Sequence, residues 1–253
     1  MNTIDINCDL GESFGQYSIG NDPEILKYIS SANIACGFHA GDPLVIQKTI
    51  VSALEYGVAI GAHPGFPDLQ GFGRRNMKLS EDELFSCILY QVGALKAMTE
   101  ALGGQLHHVK PHGAMYNMAA CDYNMALCIA KAVQKIDSSL LFVGLAHSSL
   151  IDAAKSLGLK TANEAFADRR YMRDGTLVSR SNPRAVIHNE RESIQQVLQL
   201  ISDKQVVSFD HKTIDMHADT ICIHGDNTEA LQFAKALKEN IEKKGYCIKA
   251  LKK

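Results

Sequence analysis

The sequence predicts an α/β fold, a TIM-like (β/α) barrel of about seven units formed by one domain over residues 1–253. Three observations predict it. Short apolar runs alternate with segments of helical period along the whole chain. Polar residues and glycine collect just after nearly every apolar run. No linker, low-complexity stretch or internal repeat divides the 253 residues. Repeated β-then-α units with short connections call for a parallel sheet and right-handed crossovers, and this length suits one barrel. A doubly wound open sheet is the second choice.

The strands are expected at Ile4–Cys8, Asn33–Cys36, Val58–Ala62, His107–Lys110, Leu140–Leu145, Thr161–Asn163 and Thr220–His224. Between them, apolar residues recur at spacings of three, four and seven, which places each set on one buried helix face. Ile46, Ile50, Ala53 and Leu54 form the first set, and Leu84, Ile88, Val92 and Leu95 the second. Ala126, Ile129, Ala130 and Val133 form the third. Ile194, Val197, Leu198 and Ile201, then Ala230, Phe233, Ala234 and Leu237, complete the series. Asp22-Pro23 and Asp42-Pro43 each put a capping carboxylate before a proline suited to the first helical position. Ser80 with Glu83 and Asn189 with Glu192 have capping-box spacing. Val206–His217 is too polar and irregular for a barrel unit, and a small hairpin appended to the rim is expected there.

Composition excludes several classes. Hydrophobic residues make up 46% and charged residues 21%, with a formal net charge of −2. No basic stripe marks a nucleic-acid partner, and no apolar run approaches the length that spans a bilayer. Met1 leads almost directly into the first strand, so no secretory signal is read. The cysteines number seven, an odd count, and none forms a C-x-x-C pair. A reducing, cytoplasmic setting without a disulfide framework is therefore expected. Cys8, Cys36 and Cys222 lie within strands and read as small buried apolar residues.

The chemistry is expected where the strands end, because parallel α/β folds bring the carboxyl ends of their strands to one rim. Asp9 and Glu12 follow the first strand, and His39 and Asp42 the second. His63 follows the third, Lys110 and His112 the fourth. Glu164, Asp168 and Arg169 follow the sixth, and His224 and Asp226 the seventh. Asp42 and Asp226 precede helices and read equally well as caps. A lone histidine after a strand is usually a structural hydrogen-bonder, but His39, His63, His112 and His224 hold equivalent positions. Asp9, His39, His63 and His112 offer the carboxylate and imidazole donors that suit Zn²⁺ or Mn²⁺. Gly71-Phe72-Gly73-Arg74-Arg75 follows no strand, and its arginines suit anion contact or loop anchoring. The phosphate-cradling G-x-x-x-x-G-K-[ST] and G-x-G-x-x-G patterns are missing, as are H-E-x-x-H and G-x-S-x-G.

These blocks resemble the LamB/YcsF family. The resemblance is carried by Asp5-Ile6-Asn7-Cys8-Asp9-Leu10-Gly11-Glu12, by residues 31–42 ending in Cys36-Gly37-Phe38-His39-Ala40-Gly41-Asp42, and by Gly61-Ala62-His63-Pro64-Gly65. It extends through Gly71–Arg75, Val109-Lys110-Pro111-His112-Gly113-Ala114, Glu164–Arg169 and Ile221–Asp226, in order over essentially the whole chain. Ser13, where glycine is frequent, and Met115, where leucine is usual, are slight departures away from the polar positions. The resemblance implies a distorted (β/α)7 barrel related to metal-dependent polysaccharide deacetylases. It further implies the A component of a bacterial 5-oxoprolinase, with ATP as co-substrate and separate B and C subunits. The expected reaction opens 5-oxo-L-proline to L-glutamate. That substrate needs a cation for its carboxylate (Lys110, Arg169 or Arg74) and acid–base groups for its amide (Asp9, Glu12, His39, His63 and His112). Asp9 is expected to abstract a proton, His39 and His112 to shuttle protons and stabilise an oxyanion, and Lys110 to anchor substrate. Glu164, Asp168 and His224 are expected to complete the substrate pocket. Two other readings stand beside this one: a metal-dependent amide or sugar deacetylase-like hydrolase, and a non-catalytic subunit that delivers substrate.

Overall fold

The computed structural model describes residues 2–20, 22–224 and 230–253. In chain order the elements begin with β1 (Asn2–Leu10), α1 (Asp22–Ile25), β2 (Ser31–Ala35), α2 (Pro43–Glu55), β3 (Ala59–His63) and α3 (Glu81–Ala101). They continue with β4 (Leu106–Val109), α4 (Gly113–Cys121), α5 (Tyr123–Ile136), β5 (Leu141–Leu145), α6 (Ser149–Ser156) and β6 (Thr161–Phe166). The last are α7 (Glu190–Asp203), β7 (Gln205–Val207), β8 (Thr213–Asp215), β9 (Thr220–His224), α8 (Ala230–Lys243) and β10 (Tyr246–Ile248). Strands β1 to β6 pair in sequence order, β6 pairs with β9, and β9 returns to β1 from Asp5↔Thr220 to Asp9↔His224. Every one of these pairings is parallel, so the sheet closes into a seven-stranded barrel.

All the expected strands are present. The expected hairpin is β7–β8, paired antiparallel from Gln205↔Asp215 to Val207↔Thr213. Three elements escaped the periodicity. Strand β10 is three residues long and lies beside the start of β1. Helix α6 has eight residues, too few to establish a period. Helix α4 buries Ala114, Met115, Tyr116, Ala119 and Ala120, so no polar face sets its apolar face apart.

The caps follow the sequence closely. Asp42 accepts from the Leu44 and Val45 amides, and Ser80 with Glu83 forms the full capping box. Asn189 accepts from Glu192 N, but the Glu192 carboxylate turns to Arg170 Nη1 at 2.6 Å and completes no box. Asp22 differs from expectation. It is the first residue of α1, and its Oδ2 accepts from Gly11 N at 2.7 Å, fixing the loop after β1.

The period of two along β1 divides the molecule. Ile4, Ile6, Cys8 and Leu10 pack into the core between barrel and helices. Asp5, Asn7 and Asp9 point the other way, into the barrel. There Asp5 accepts from Ser30, Ser31 and Thr220, while Asn7 Nδ2 donates to Thr220 Oγ1 at 2.7 Å. Barrel interiors are ordinarily filled by branched apolar side chains. This one is polar, and mutual hydrogen bonds offset the loss of water.

Candidate functional site

The polar column of the barrel rises to a cavity of about 590 Å³ at the carboxyl ends of the strands. At its base stands Lys110, 2% exposed. Its Nζ donates to Asp9 Oδ1 at 2.8 Å and Asn7 Oδ1 at 3.1 Å, and lies 2.8 Å from Glu164 Oε1. Burial alone would lower the Lys110 pKa, but the Asp9 and Glu164 carboxylates outweigh it and hold the ammonium well above its ordinary range. Asn33 Nδ2 donates to Asp9 Oδ1 at 2.9 Å and Asn7 Oδ1 at 2.7 Å, while its Oδ1 accepts from His108 Nε2 at 2.8 Å. Tyr116 Oη donates to Glu164 Oε2 at 2.6 Å. One carboxylate on each side therefore clamps the ammonium, and each carboxylate is steadied by a further donor.

Beside this clamp lies a histidine cluster. His63 Nδ1 faces the Lys110 carbonyl at 2.7 Å, and His112 Nε2 faces the Phe72 carbonyl at 2.8 Å. A carbonyl only accepts, so both of these nitrogens carry hydrogen. The opposite nitrogens, His63 Nε2 and His112 Nδ1, then face each other at 3.0 Å. Asp9 Oδ2 is 3.3 Å from the first, and Glu12 Oε1 is 4.0 Å from the second. His39 stacks on His112, with ring centroids 3.8 Å apart and planes 5° from parallel. His39 is wholly buried, and among the described residues neither of its ring nitrogens has a hydrogen-bond partner. Burial, reinforced by neighbouring histidines, holds the pKa of His39 and of His112 well below the usual imidazole value, so the stacked rings are neutral at neutral pH.

The loop after β3 is built to deliver these contacts. Asp68 pairs with Arg75, which makes Arg75 an anchor and turns Arg74 toward the cavity. Phe72 sits at φ +54, in the left-handed region, and this strained conformation presents its carbonyl to His112. Glycine is required on either side of the cluster. A Cβ on Gly65 would lie 2.6 Å from His39 Nδ1, and one on Gly73 2.8 Å from His112 Cδ2.

At the mouth, Arg169 is 4% exposed and its Nη2 donates to the Val178 carbonyl at 2.7 Å, while its buried Nε has no partner among the described residues. Burial, with nearby Arg180 adding to it, brings the guanidinium down to about 10, still cationic at neutral pH. Residues 176–181 form the facing wall.

Asp9, Glu12, His63, Arg74, Lys110, His112 and Arg169 all line the cavity, and His39 and Glu164 stand directly behind it. Asp168 is half-buried and does not line it among the described residues. Asp42 caps α2. His224 ends β9, but its side chain lies outside the described residues, as does Asp226. Glu12, His39, His63 and His112 each present one ligating atom, and these atoms lie within 4.8 Å of one another. The carboxylate of that quartet is Glu12, where the sequence suggested Asp9; Asp9 Oδ1 is held by Lys110 and Asn33, while its Oδ2 borders the cluster 3.3 Å from His63 Nε2. Sequence reasoning missed Asn7, Asn33, His108 and Tyr116. The first three sit at alternate strand positions, a signal that was available; Tyr116 lies inside an unrecognised helix.

Comparison with known proteins supplies the rest. The sequence model of the LamB/YcsF family matches residues 4–253. The 5-oxoprolinase A component of Brevibacillus brevis is 54% identical over 250 residues, covering 99% of this chain and 98% of the relative. The crystal structure of the lactam utilization protein from Thermus thermophilus superposes with a TM-score of 0.93 at 43% identity, over 98% of this chain and 100% of that one. The catalytic domain of a peptidoglycan N-acetylglucosamine deacetylase from Eubacterium rectale shares the fold, with a TM-score of 0.52 at 10% identity over 100% of this chain and 92% of that one.

Proposed function

The chain belongs to the LamB/YcsF family, and from that premise we propose that it is the A component of an ATP-dependent 5-oxoprolinase, opening the lactam of 5-oxo-L-proline to L-glutamate with B and C subunits. The observation that carries this reading is one cavity with acid–base groups at its base and a buried guanidinium at its mouth. A small lactam bearing a carboxylate needs both. The names of the relatives support the same substrate class.

Opening an unstrained five-membered lactam is uphill near neutral pH, so coupling to ATP supplies the driving force. Transfer of the terminal phosphoryl group to the lactam oxygen makes the ring carbon electrophilic. Water adds to that carbon, and Asp9 with His63 beside it takes the proton. The carbon–nitrogen bond then breaks, the nitrogen leaves as an amine after gaining a proton, and a second water releases phosphate from the resulting acyl phosphate. The partner subunits bind ATP in this reading, since the chain carries no G-x-x-x-x-G-K-[ST]. Lys110 is already clamped by two carboxylates. Its part therefore shifts from anchoring substrate to fixing Asp9, and the substrate carboxylate falls to Arg169 and Arg74. A cytoplasmic setting belongs to the same reading. The seven cysteines are all free thiols, and among the described residues no helix is long and apolar enough to cross a membrane.

The test is glutamate release from 5-oxoproline, by the chain alone and then with candidate B and C subunits plus ATP. Turnover is expected only in the full mixture and is lost in Asp9→Ala. ATP-independent turnover of another amide by the chain alone would replace this reading with the hydrolase. Asp9→Ala activity reduced only through KM would replace it with substrate delivery.

A further inference from the structure

The geometry points to a binding site for one divalent transition cation of the zinc class, held by Glu12, His39, His63 and His112. This inference concerns the cation and not the lactam, and holds whichever amide enters the cavity.

The first argument is the direction of the lone pairs. The Lys110 and Phe72 carbonyls fix hydrogen on His63 Nδ1 and His112 Nε2. With those two hydrogens placed, the lone pairs of His63 Nε2 and His112 Nδ1 face each other 3.0 Å apart. Two lone pairs at that distance repel unless something positive lies beside both. Adjacent nitrogens on a tetrahedral zinc are about 3.3 Å apart, given Zn–N bonds of about 2.0–2.1 Å. Imidazoles that bind metal usually donate their other N–H to a carbonyl or carboxylate, which orients the ring. Both rings here do so.

The second argument is His39. Its ring is wholly buried with both nitrogens unpartnered among the described residues, an arrangement that costs free energy without a ligand. A proton shared between His63 and His112 would relieve that pair but give His39 nothing. As they stand, the parallel His39 and His112 rings cannot share one ion in both ring planes, so a turn of the His39 ring brings one of its nitrogens to the cation, which then serves all three rings. The Glu12 carboxylate, 7% exposed, supplies the negative charge from the loop after β1. Lys110 does not compete, because Asp9 and Glu164 hold it on the far side of Asp9. Nitrogen-rich donors with one carboxylate favour zinc-class ions over magnesium, which prefers oxygen.

The experiment uses the full chain, dialysed against a chelator and confirmed as folded by circular dichroism. Zn²⁺ is titrated in competition with a chromophoric chelator, and Co²⁺ is followed through its visible ligand-field absorption. One equivalent of each should bind, with a rise in Tm. His39→Gln and Glu12→Gln, chosen to preserve volume, should each weaken zinc binding by about 100-fold, since even an outer-shell partner contributes about 10–100-fold. His211→Ala, at an exposed histidine, should leave it unchanged. No saturable zinc uptake by the folded chain would overturn the site. So would one-equivalent uptake that survives both His39→Gln and Glu12→Gln. Neither readout involves glutamate release, so loss of the lactamase reading and loss of the metal site register separately.

Discussion

Lys110 Nζ lies 2.8 Å from Glu164 Oε1, an ion pair closed off from solvent at the base of the cavity. A buried pair adds little net stability over an apolar pair of the same shape, yet removing one partner leaves an uncompensated charge. Glu164→Gln and Lys110→Met should each therefore destabilise the fold by about 3–5 kcal/mol. Combining Lys110→Met with Glu164→Gln should cost less than the sum of the two single changes. Urea unfolding of the four proteins checks this. Additive losses would mean that the two side chains stabilise the barrel independently.

Arg169 is the cavity's buried cation with a donor to spare. A hydrogen bond to a charged partner contributes about 1.5–3 kcal/mol, or about 10–150-fold in affinity. Arg169→Gln should raise KM for 5-oxoproline by that factor in the assembled enzyme, with kcat changed much less. An amide of the substrate's carboxylate should bind the wild type and the variant equally. A fall in kcat at constant KM would move Arg169 from carboxylate recognition to the chemical step.

How far the sequence disclosed this arrangement depended on period. The strands were legible because apolar and polar residues alternate on them and glycine or proline bounds them. The seven expected strands are the seven staves of the barrel. Helix α4 was not legible, because a segment buried on several sides has no contrast to mark its face. The rim residues Asp9, Glu12, His63, Lys110 and His112 could be named from their place after strands, and they do meet. Their division of labour could not be read. That Asp9 bridges Lys110 and His63 while Glu12 stands beside His112 depends on a strand register and a loop conformation linking residues far apart in sequence.

The cysteines give a prediction with a definite pH dependence. Burial raises Cys36 from 9.0 to about 12 and Cys87 from 9.0 to about 11, so both remain thiols in the folded chain at pH 8. Only Cys121 and Cys247 are exposed. Ellman's reagent should count two fast thiols in the native protein and all seven after denaturation. The folded state holds protons that the unfolded chain releases near pH 9. The stability so contributed is complete below pH 9 and falls as pH rises toward 12 for Cys36. Cys36→Ala should flatten the alkaline limb of Tm against pH, and an unchanged limb would assign it to other groups.

Gly65 and Gly61 set how closely the histidines can be packed. A methyl group on Gly65 would meet His39 Nδ1 at 2.6 Å, and one on Gly61 would collide with the His108 ring. The consequences should differ. His108 is wedged in the barrel with its Nε2 held by Asn33, so Gly61→Ala has no room to relax and should destabilise the fold by about 1–3 kcal/mol or more. A Cβ on Gly65 also comes within 3.0 Å of His39 Cγ and 3.2 Å of its Cβ, so the wholly buried ring must be displaced and Gly65→Ala also costs stability. That movement withdraws a donor from the cluster. Gly65→Ala should therefore lose both stability and zinc affinity, and Gly61→Ala should lose stability while keeping zinc affinity. The paired measurement is unfolding and zinc titration on both variants. Equal zinc affinity in Gly65→Ala and wild type would show that the position of His39 is immaterial to the cation.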